Sequence, residues 1–393
     1  VSNETKDSFD RRDFMLASLA TVGASAALVA SSQKAAAQTA TAATKGTVYT
    51  GDVIQGKKVI SALNIEDLEP GQIHKFYFQG VQMPTGQHWH VSVMVVKGTM
   101  PGKRFTLTSG VHGDEMSSIH TVQTVMNQLD PKDMAGSVMA VFDIARPAIE
   151  SMQRRWPDQG RGIDLIDMNR EWPGNENGRH AVGRHAGMLF NRLLRPNTDL
   201  AIDYHTGATG MEAGAFNIGD RSLPDVKAMT DLFPIPQIWD NAAYPGVLHN
   251  AFVDVGIPCF TPEIGAARIF NLEMIPHFVE GTLNCLKHYK VISGTIGRTA
   301  ADVGVFIGNS AFPVLSTQGG FMELLVKLHD KVTAGQKVAI QRNTFGEVVA
   351  EYTCDVDGEV GALRTDATTE PGIVFMFILF NHTPVEEERS YPE

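Results

Sequence analysis

The chain has 393 residues, of which 43% are hydrophobic and 20% charged, the composition of a globular protein with a sizeable core. That length favours two domains over one. A net charge of −11 runs against nucleic acid or an anionic membrane surface as a partner, and after residue 40 no stretch is long and apolar enough to cross a bilayer.

Residues 1–37 stand apart from the rest. Asp10-Arg11-Arg12-Asp13-Phe14-Met15-Leu16 leads into a mildly apolar, alanine-rich segment, and Ala35-Ala36-Ala37 supplies the small residues of a cleavage site. The segment resembles a twin-arginine export signal. That resemblance implies cleavage after Ala37, a periplasmic or secreted protein, and no membrane contact once the signal is gone. Cys259, Cys285 and Cys354 lack CxxC spacing and are expected to be buried small hydrophobes.

From 45 to 96 short alternating runs such as Lys75-Phe76-Tyr77-Phe78 and His90-Val91-Ser92-Val93-Met94-Val95-Val96 predict leading strands. Between 104 and 289 strands alternate with helices. Strands are predicted at 105–109, 138–144, 200–204 and 258–262, and helices after the first of these to about 129, at 180–194 and at 272–289. Such alternation predicts an α/β sheet covered on both faces. From 297 the helical period gives way to short runs with glycine punctuation, which predict a small all-β domain. Gly320 to Gln336 resembles half of a biotinyl/lipoyl motif, but the turn that would carry the modified lysine reads Arg342-Asn343-Thr344-Phe345, so the domain is expected to be unmodified.

The candidate chemistry begins at Gly110-Val111-His112-Gly113-Asp114-Glu115, after the first strand of the alternating region. His112 and Glu115 stand three residues apart, so both point at one ion if the chain is helical from Gly113. A catalytic zinc takes three protein ligands and keeps one position open. His205, at the end of Leu200-Ala201-Ile202-Asp203-Tyr204-His205-Thr206, is the best third ligand, because ligands in α/β folds gather beyond the carboxyl ends of strands. Asp203 is expected to orient backbone or a ligand rather than to bind metal. Cys259-Phe260-Thr261-Pro262-Glu263-Ile264-Gly265 adds a separate carboxylate at another strand end. Residues 146–195 hold nine arginines and no lysine. Guanidinium forks suit carboxylates, which points to an anionic ligand, although several of the nine have acidic neighbours to pair with.

Four ordered motifs give a specific resemblance: Gly-x-His-Gly-x-Glu at Gly110 to Glu115, Asp-x-Asn-Arg-x-x-Pro-Gly at Asp167 to Gly174, Asp-x-His-Thr at Asp203 to Thr206, and Thr-x-Glu-x-Gly at Thr261 to Gly265. They look like the succinylglutamate desuccinylase/aspartoacylase family, related in fold to the zinc carboxypeptidases. The resemblance implies an α/β fold with a carboxypeptidase-like mixed sheet flanked by helices over 45–292, and a small C-terminal all-β domain over 297–393. It implies one zinc per chain on His112, Glu115 and His205, with Glu263 as general base and acid. Asn169 and Arg170 would hold the carboxylate of a small anionic substrate. Arg161 would polarise the scissile carbonyl, with Arg154 or Arg155 as alternatives.

The implied activity is hydrolysis of the amide of an N-acyl amino acid or similar small carboxylate, and an ester is open to the same chemistry. A carboxypeptidase acting on short peptides, and a binding protein that has lost turnover, are the alternatives; the intact set of ligands and base argues against the latter. His88-Trp89-His90 has a spacing used by barrel amidohydrolases, but nothing downstream follows that pattern, so two partly exposed histidines are expected there. His185 and Tyr244 are candidates for the border of the cleft, and His120, His180, His249, His277, His288 and His329 are expected on helix surfaces or satisfied in the core.

Overall fold

The computed structural model describes residues 46–159, 164–242 and 244–382. Six strands come first among the described residues: β1 (Val48–Ile54), β2 (Lys57–Ala62), β3 (Gln72–Gln82), β4 (His88–Lys97), β5 (Met100–Thr108) and β6 (Ala135–Val141). Helix α1 (Met116–Met126) connects β5 to β6, and α2 (Arg146–Glu150) follows β6. After the hairpin β7 (Trp156–Asp158) and β8 (Asp164–Ile166) come α3 (Ala181–Leu189), β9 (Leu200–Asp203), β10 (Met211–Gly219), α4 (Pro224–Asp231), β11 (Gln237–Asp240), α5 (Leu248–Val253), β12 (Cys259–Ala266) and α6 (Ile275–His288). The remaining strands are β13 (Phe306–Gly308), β14 (Ser310–Leu315), β15 (Gly320–Leu324), β16 (Lys331–Val332), β17 (Lys337–Arg342), β18 (Val348–Thr353), β19 (Gly358–Arg364), β20 (Thr368–Thr369) and β21 (Val374–Phe380).

A 15-stranded mixed sheet runs β1-β2-β3-β4-β6-β5-β9-β12-β10-β19-β21-β14 along its main path. Its centre is parallel: β6 with β5, β5 with β9, and β9 with β12. The central strands read as nearly continuous apolar runs because both faces are covered. Val91, Val93, Val95, Met139, Val141, Ala201 and Cys259 pack on one face under Val182, Ala186 and Leu189 of α3 and Leu248, Ala251 and Phe252 of α5. The alternate residues Met94, Val96, Phe105, Leu107, Val138, Ala140, Leu200, Ile202 and Phe260 pack on the other, under Val122, Val125 and Met126 of α1 and Phe278, Val279, Cys285 and Leu286 of α6. Each large side chain buried this way contributes about 1.5–3 kcal/mol. The period-2 alternation thus assigns successive residues of a strand to opposite cores.

The change of pattern near 297 marks a change of architecture without a break in the sheet. β19 pairs antiparallel with β10, so β19, β21 and β14 extend the central sheet. β13 and β16 join the same sheet beside β11 and β19, and the remaining four C-terminal strands form a separate sheet in the order β18-β17-β15-β20, over a core of Val338, Cys354, Val360, Phe375 and Ile378. All three cysteines are buried and unpaired. Among the described residues no helix is long and apolar enough to cross a membrane.

Candidate metal centre

Three loops leave the carboxyl ends of the parallel strands β5, β9 and β12 and meet. After β5 the chain turns at Gly110, whose φ of +67° is accessible to glycine without strain. Gly113 then passes so close to α2 that a Cβ there would lie 2.0 Å from the Ala148 carbonyl carbon. This close approach shapes the loop. Helix α1 begins only at Met116, and Glu115 has φ −95° and ψ 71°, outside the helical region. His112 and Glu115 therefore converge across a tight turn, where the spacing alone predicted a helical one.

The side chains of His112, Glu115 and His205 are all buried, and their ligand atoms lie within 4.8 Å of one another. His112 Nδ1 is 2.7 Å from Glu115 Oε1, His205 Nδ1 is 2.8 Å from Glu115 Oε2, and the two Nδ1 atoms are 3.1 Å apart. The outer nitrogens face carboxylates: His112 Nε2 is 3.0 Å from Asp167 Oδ1, and His205 Nε2 is 3.0 Å from Asp203 Oδ2. A carboxylate fixes the Nε2–H tautomer and leaves Nδ1 as a lone pair pointing inward. Two such lone pairs 3.1 Å apart beside a carboxylate repel one another, and a cation relieves that repulsion. The donor set, two imidazole nitrogens and one carboxylate, is one that zinc uses in catalytic sites.

The electrostatics agree with a site built for positive charge. Burial opposes a charge on His205, but Asp203 and Glu115 outweigh it and raise its pKa well above the ordinary value. Burial likewise opposes ionisation of Glu115, yet the two facing imidazoles hold its carboxyl well below the usual range. Asp167 is held low in the same way, against its own burial, by His112 and by Arg154 and Arg170. Asp203 is fully buried and takes a second hydrogen bond from Thr108 Oγ1 at 2.7 Å, which locks its orientation. Held so, it fixes the His205 ring from behind.

Glu263 enters from β12. A parallel bridge pairs it with His205, so the two stand side by side on neighbouring strands. Half-buried in this setting, its carboxyl is pushed up to about 8 by burial, against the pull of His205 and Arg154. Arg154 reaches the centre from the loop after α2: Nη1 donates to Glu115 Oε1 at 2.9 Å, and Nε lies 3.6 Å from Asp167 Oδ2. Of the arginines considered from sequence, Arg154 stands at the cluster, whereas Arg161 lies outside the described residues.

Asn169 and Arg170 sit on a tight helical turn, Met168–Arg170, capped by the Asp167 side chain. The oxygen end of the buried Asn169 amide is engaged. Its Oδ1 accepts from Leu248 N at 2.9 Å, at the start of α5, and its Nδ2 lies 3.4 Å from His205 Nε2. Arg170 is exposed, and its side chain bonds only the Asn169 carbonyl among the described residues and makes no ion pair with them. It is the free cation of the pair.

The other histidines separate cleanly. His185 is fully buried away from the centre, with Nδ1 accepting from Val81 N at 3.2 Å and Nε2 donating to Ile144 O at 3.0 Å. His88 on β4 bonds Gly80 O, and its ring is 6.5 Å from that of His90, so that pair does not converge. Two neighbours of the site differ from the sequence reading, which expected His249 on a helix surface or satisfied in the core and did not consider Arg268. His249 bonds Thr261 Oγ1 at 2.6 Å and leaves Nε2 without a partner among the described residues. Arg268 bonds two of the surrounding loops. Neither belongs to a motif, so no spacing pointed to them.

Comparison with known proteins gives the same picture. Residues 101–289 match the succinylglutamate desuccinylase/aspartoacylase catalytic domain. Over 295 residues, covering 72% of this chain and 83% of the relative, the sequence is 27% identical to N-alpha-acetyl-L-2,4-diaminobutyric acid deacetylase of Halomonas elongata. A succinylglutamate desuccinylase/aspartoacylase from Rhodobacter sphaeroides superposes with a TM-score of 0.71 at 20% identity, over 82% of this chain and 98% of that one. The product-bound ectoine utilization protein EutE (DoeB) from Ruegeria pomeroyi gives 0.71 at 19% identity, over 80% and 97%. The four motifs, the fold and the matched segment identify residues 101–289 as a catalytic domain of the succinylglutamate desuccinylase/aspartoacylase family.

Proposed function

We propose that this protein is a zinc-dependent deacylase that hydrolyses the amide bond of an N-acyl amino acid or a similar small carboxylate. One observation carries the reading: two Nδ1 atoms and a carboxylate converge, each imidazole is braced from behind by its own aspartate, and Glu263 stands on the next strand. The family and its characterised relatives, deacetylase and desuccinylase, support amide hydrolysis.

A zinc ion on His112, Glu115 and His205 would supply a Lewis acid that polarises a carbonyl and acidifies water towards neutral pH. The protein's own groups do the rest. Glu263 takes the proton of the attacking water and returns it to the leaving amine. A positive charge in the neighbouring cluster favours its carboxylate form, offsetting the burial that pushes its pKa up. The guanidinium of Arg154 stabilises the charge that develops on the carbonyl oxygen, with Arg161 as the alternative. Arg170 draws in the substrate carboxylate, and Asn169 fixes the turn that presents it.

We also propose export to the periplasm or beyond, on the strength of Arg11-Arg12 and the alanine-rich segment that follows. The deciding experiment is a hydrolysis screen of N-acyl amino acids against short peptides with zinc-loaded protein. Release of free amino acid from the acylated set supports the deacylase, and exclusive release of C-terminal residues from peptides overturns it in favour of a carboxypeptidase.

A further inference from the structure

Arg268 lies two residues beyond the end of β12 on the exposed rim of the site, and its contacts are unusual for a surface arginine. It pairs with no carboxylate among the described residues. Instead its Nη2 donates to Met152 O at 2.9 Å and its Nε to Thr209 Oγ1 at 3.2 Å, while its backbone N–H donates to Asp114 O at 2.7 Å. Thr209 in turn donates to Asp114 Oδ2 from both N and Oγ1, at 2.9 and 2.6 Å. One residue thus ties together the loop of His112 and Glu115, the loop of Arg154, the loop after His205 and the segment after Glu263.

The backbone supports a clamp. Met152 and Arg268, the two ends of the Nη2 bond, both hold left-handed φ values of +48° and +65°, which side-chain-bearing residues adopt only where their surroundings impose it. Met152 stands two residues before Arg154, and the Arg154 carbonyl accepts from Gly113 N at 3.4 Å. The 152–154 segment is therefore held at one end by Arg268 and at the other by the ligand loop.

We infer that Arg268 is a positioning residue that clamps the Met152 carbonyl and so holds the Arg154 guanidinium against Glu115 and Asp167. The inference rests on the proposed part of Arg154 in stabilising the reacting carbonyl. Charge at the rim is incidental to it. What matters is the fork, which reaches two acceptors on two loops at once.

The test uses zinc-loaded full-length protein and the variants R268A, R268K, R154A and R154A/R268A. Loss of the clamp lets Arg154 wander by about an ångström, which costs on the order of 10–100-fold in kcat with KM within about threefold. R268K, which reaches one acceptor, falls between, and R154A/R268A is no slower than R154A because both changes remove the same contribution. Metal stoichiometry and melting midpoint stay at parental values. A second readout needs no substrate: trypsin cleavage after Arg154 or Arg155, located by mass spectrometry, accelerates about tenfold or more in R268A as the segment opens. Turnover of R268A within about twofold of parent, a change in KM alone, rates that multiply in the double variant, or unchanged cleavage would each overturn the clamp. If the parent hydrolyses no acylated amino acid, the deacylase reading falls while the cleavage measurement still decides the clamp.

Discussion

Replacing Asp203 by asparagine isolates the electrostatic part of the metal centre. Asp203 is fully buried between His205 Nε2 at 3.0 Å and Thr108 Oγ1 at 2.7 Å. Asparagine has the same shape. Its carbonyl oxygen takes the imidazole N–H, and its NH2 group meets a hydroxyl that is able to accept. Packing and hydrogen-bond count are preserved, and what leaves is one negative charge behind a ligand. Loss of a carboxylate that orients a ligating histidine costs about 10–100-fold in metal affinity, or about 1.4–2.7 kcal/mol at 1.36 kcal/mol per decade. Competition with a chromophoric zinc chelator at pH 7.5 measures it, and thermal unfolding of both metal-free proteins checks that the fold is intact. An affinity within about twofold of parent, with the melting curve unchanged, would refute the argument that Asp203 tunes His205 for a cation.

Glu263→Gln is expected to bind zinc as parent does and to lose about 10²–10⁴-fold in turnover, because the amide neither takes nor returns the proton; near-parental turnover would remove Glu263 from the reaction. His185 gives the fold a pH dependence. Burial pulls its pKa down to about 4, so between about pH 6.5 and 4 the unfolded chain binds a proton that the folded chain does not. The stabilising contribution is complete above about 6.5 and is lost as pH falls towards 4, by about 3 kcal/mol from this one group. Urea unfolding of metal-free parent and His185→Gln at several pH values tests this. Gln is able to donate to Ile144 O and accept from Val81 N, so the variant should fold and lose part of the slope, and identical slopes would contradict the assignment.

Much of the site is legible in the sequence because its chemistry sits at strand ends. His112, Glu115 and His205 follow apolar runs that become β5 and β9, Glu263 follows the apolar start of β12 and lies within that strand, and the parallel pairing of the three brings these positions together. The short spacing from Asp203 to His205 likewise announces a carboxylate behind a ligand. What the sequence conceals depends on tertiary approach. The turn that brings His112 to Glu115 is set by Gly113 lying against Ala148, a contact between segments with no shared pattern. The bond that Asn169 Oδ1 accepts from Leu248 N at the start of α5 is also hidden, because α5 is too short to show a helical period. Arg154 is one of three candidate arginines in the sequence and Arg268 is none of them until the loops carrying the two are seen to meet. The junction of β10 with β19 crosses the compositional change near 297, since hydrogen bonding between strand edges leaves no mark in composition.

The central claim is that His112, Glu115 and His205 hold one zinc ion and that amide hydrolysis depends on it. Metal analysis paired with turnover of an N-acyl amino acid, before chelation, after chelation and after adding zinc back, tests it most directly, with His205→Ala alongside. The account predicts one zinc per chain, activity lost with the metal and restored by it, and neither metal nor turnover in the variant. Full zinc occupancy in His205→Ala, or undiminished hydrolysis by the metal-free parent, would contradict it.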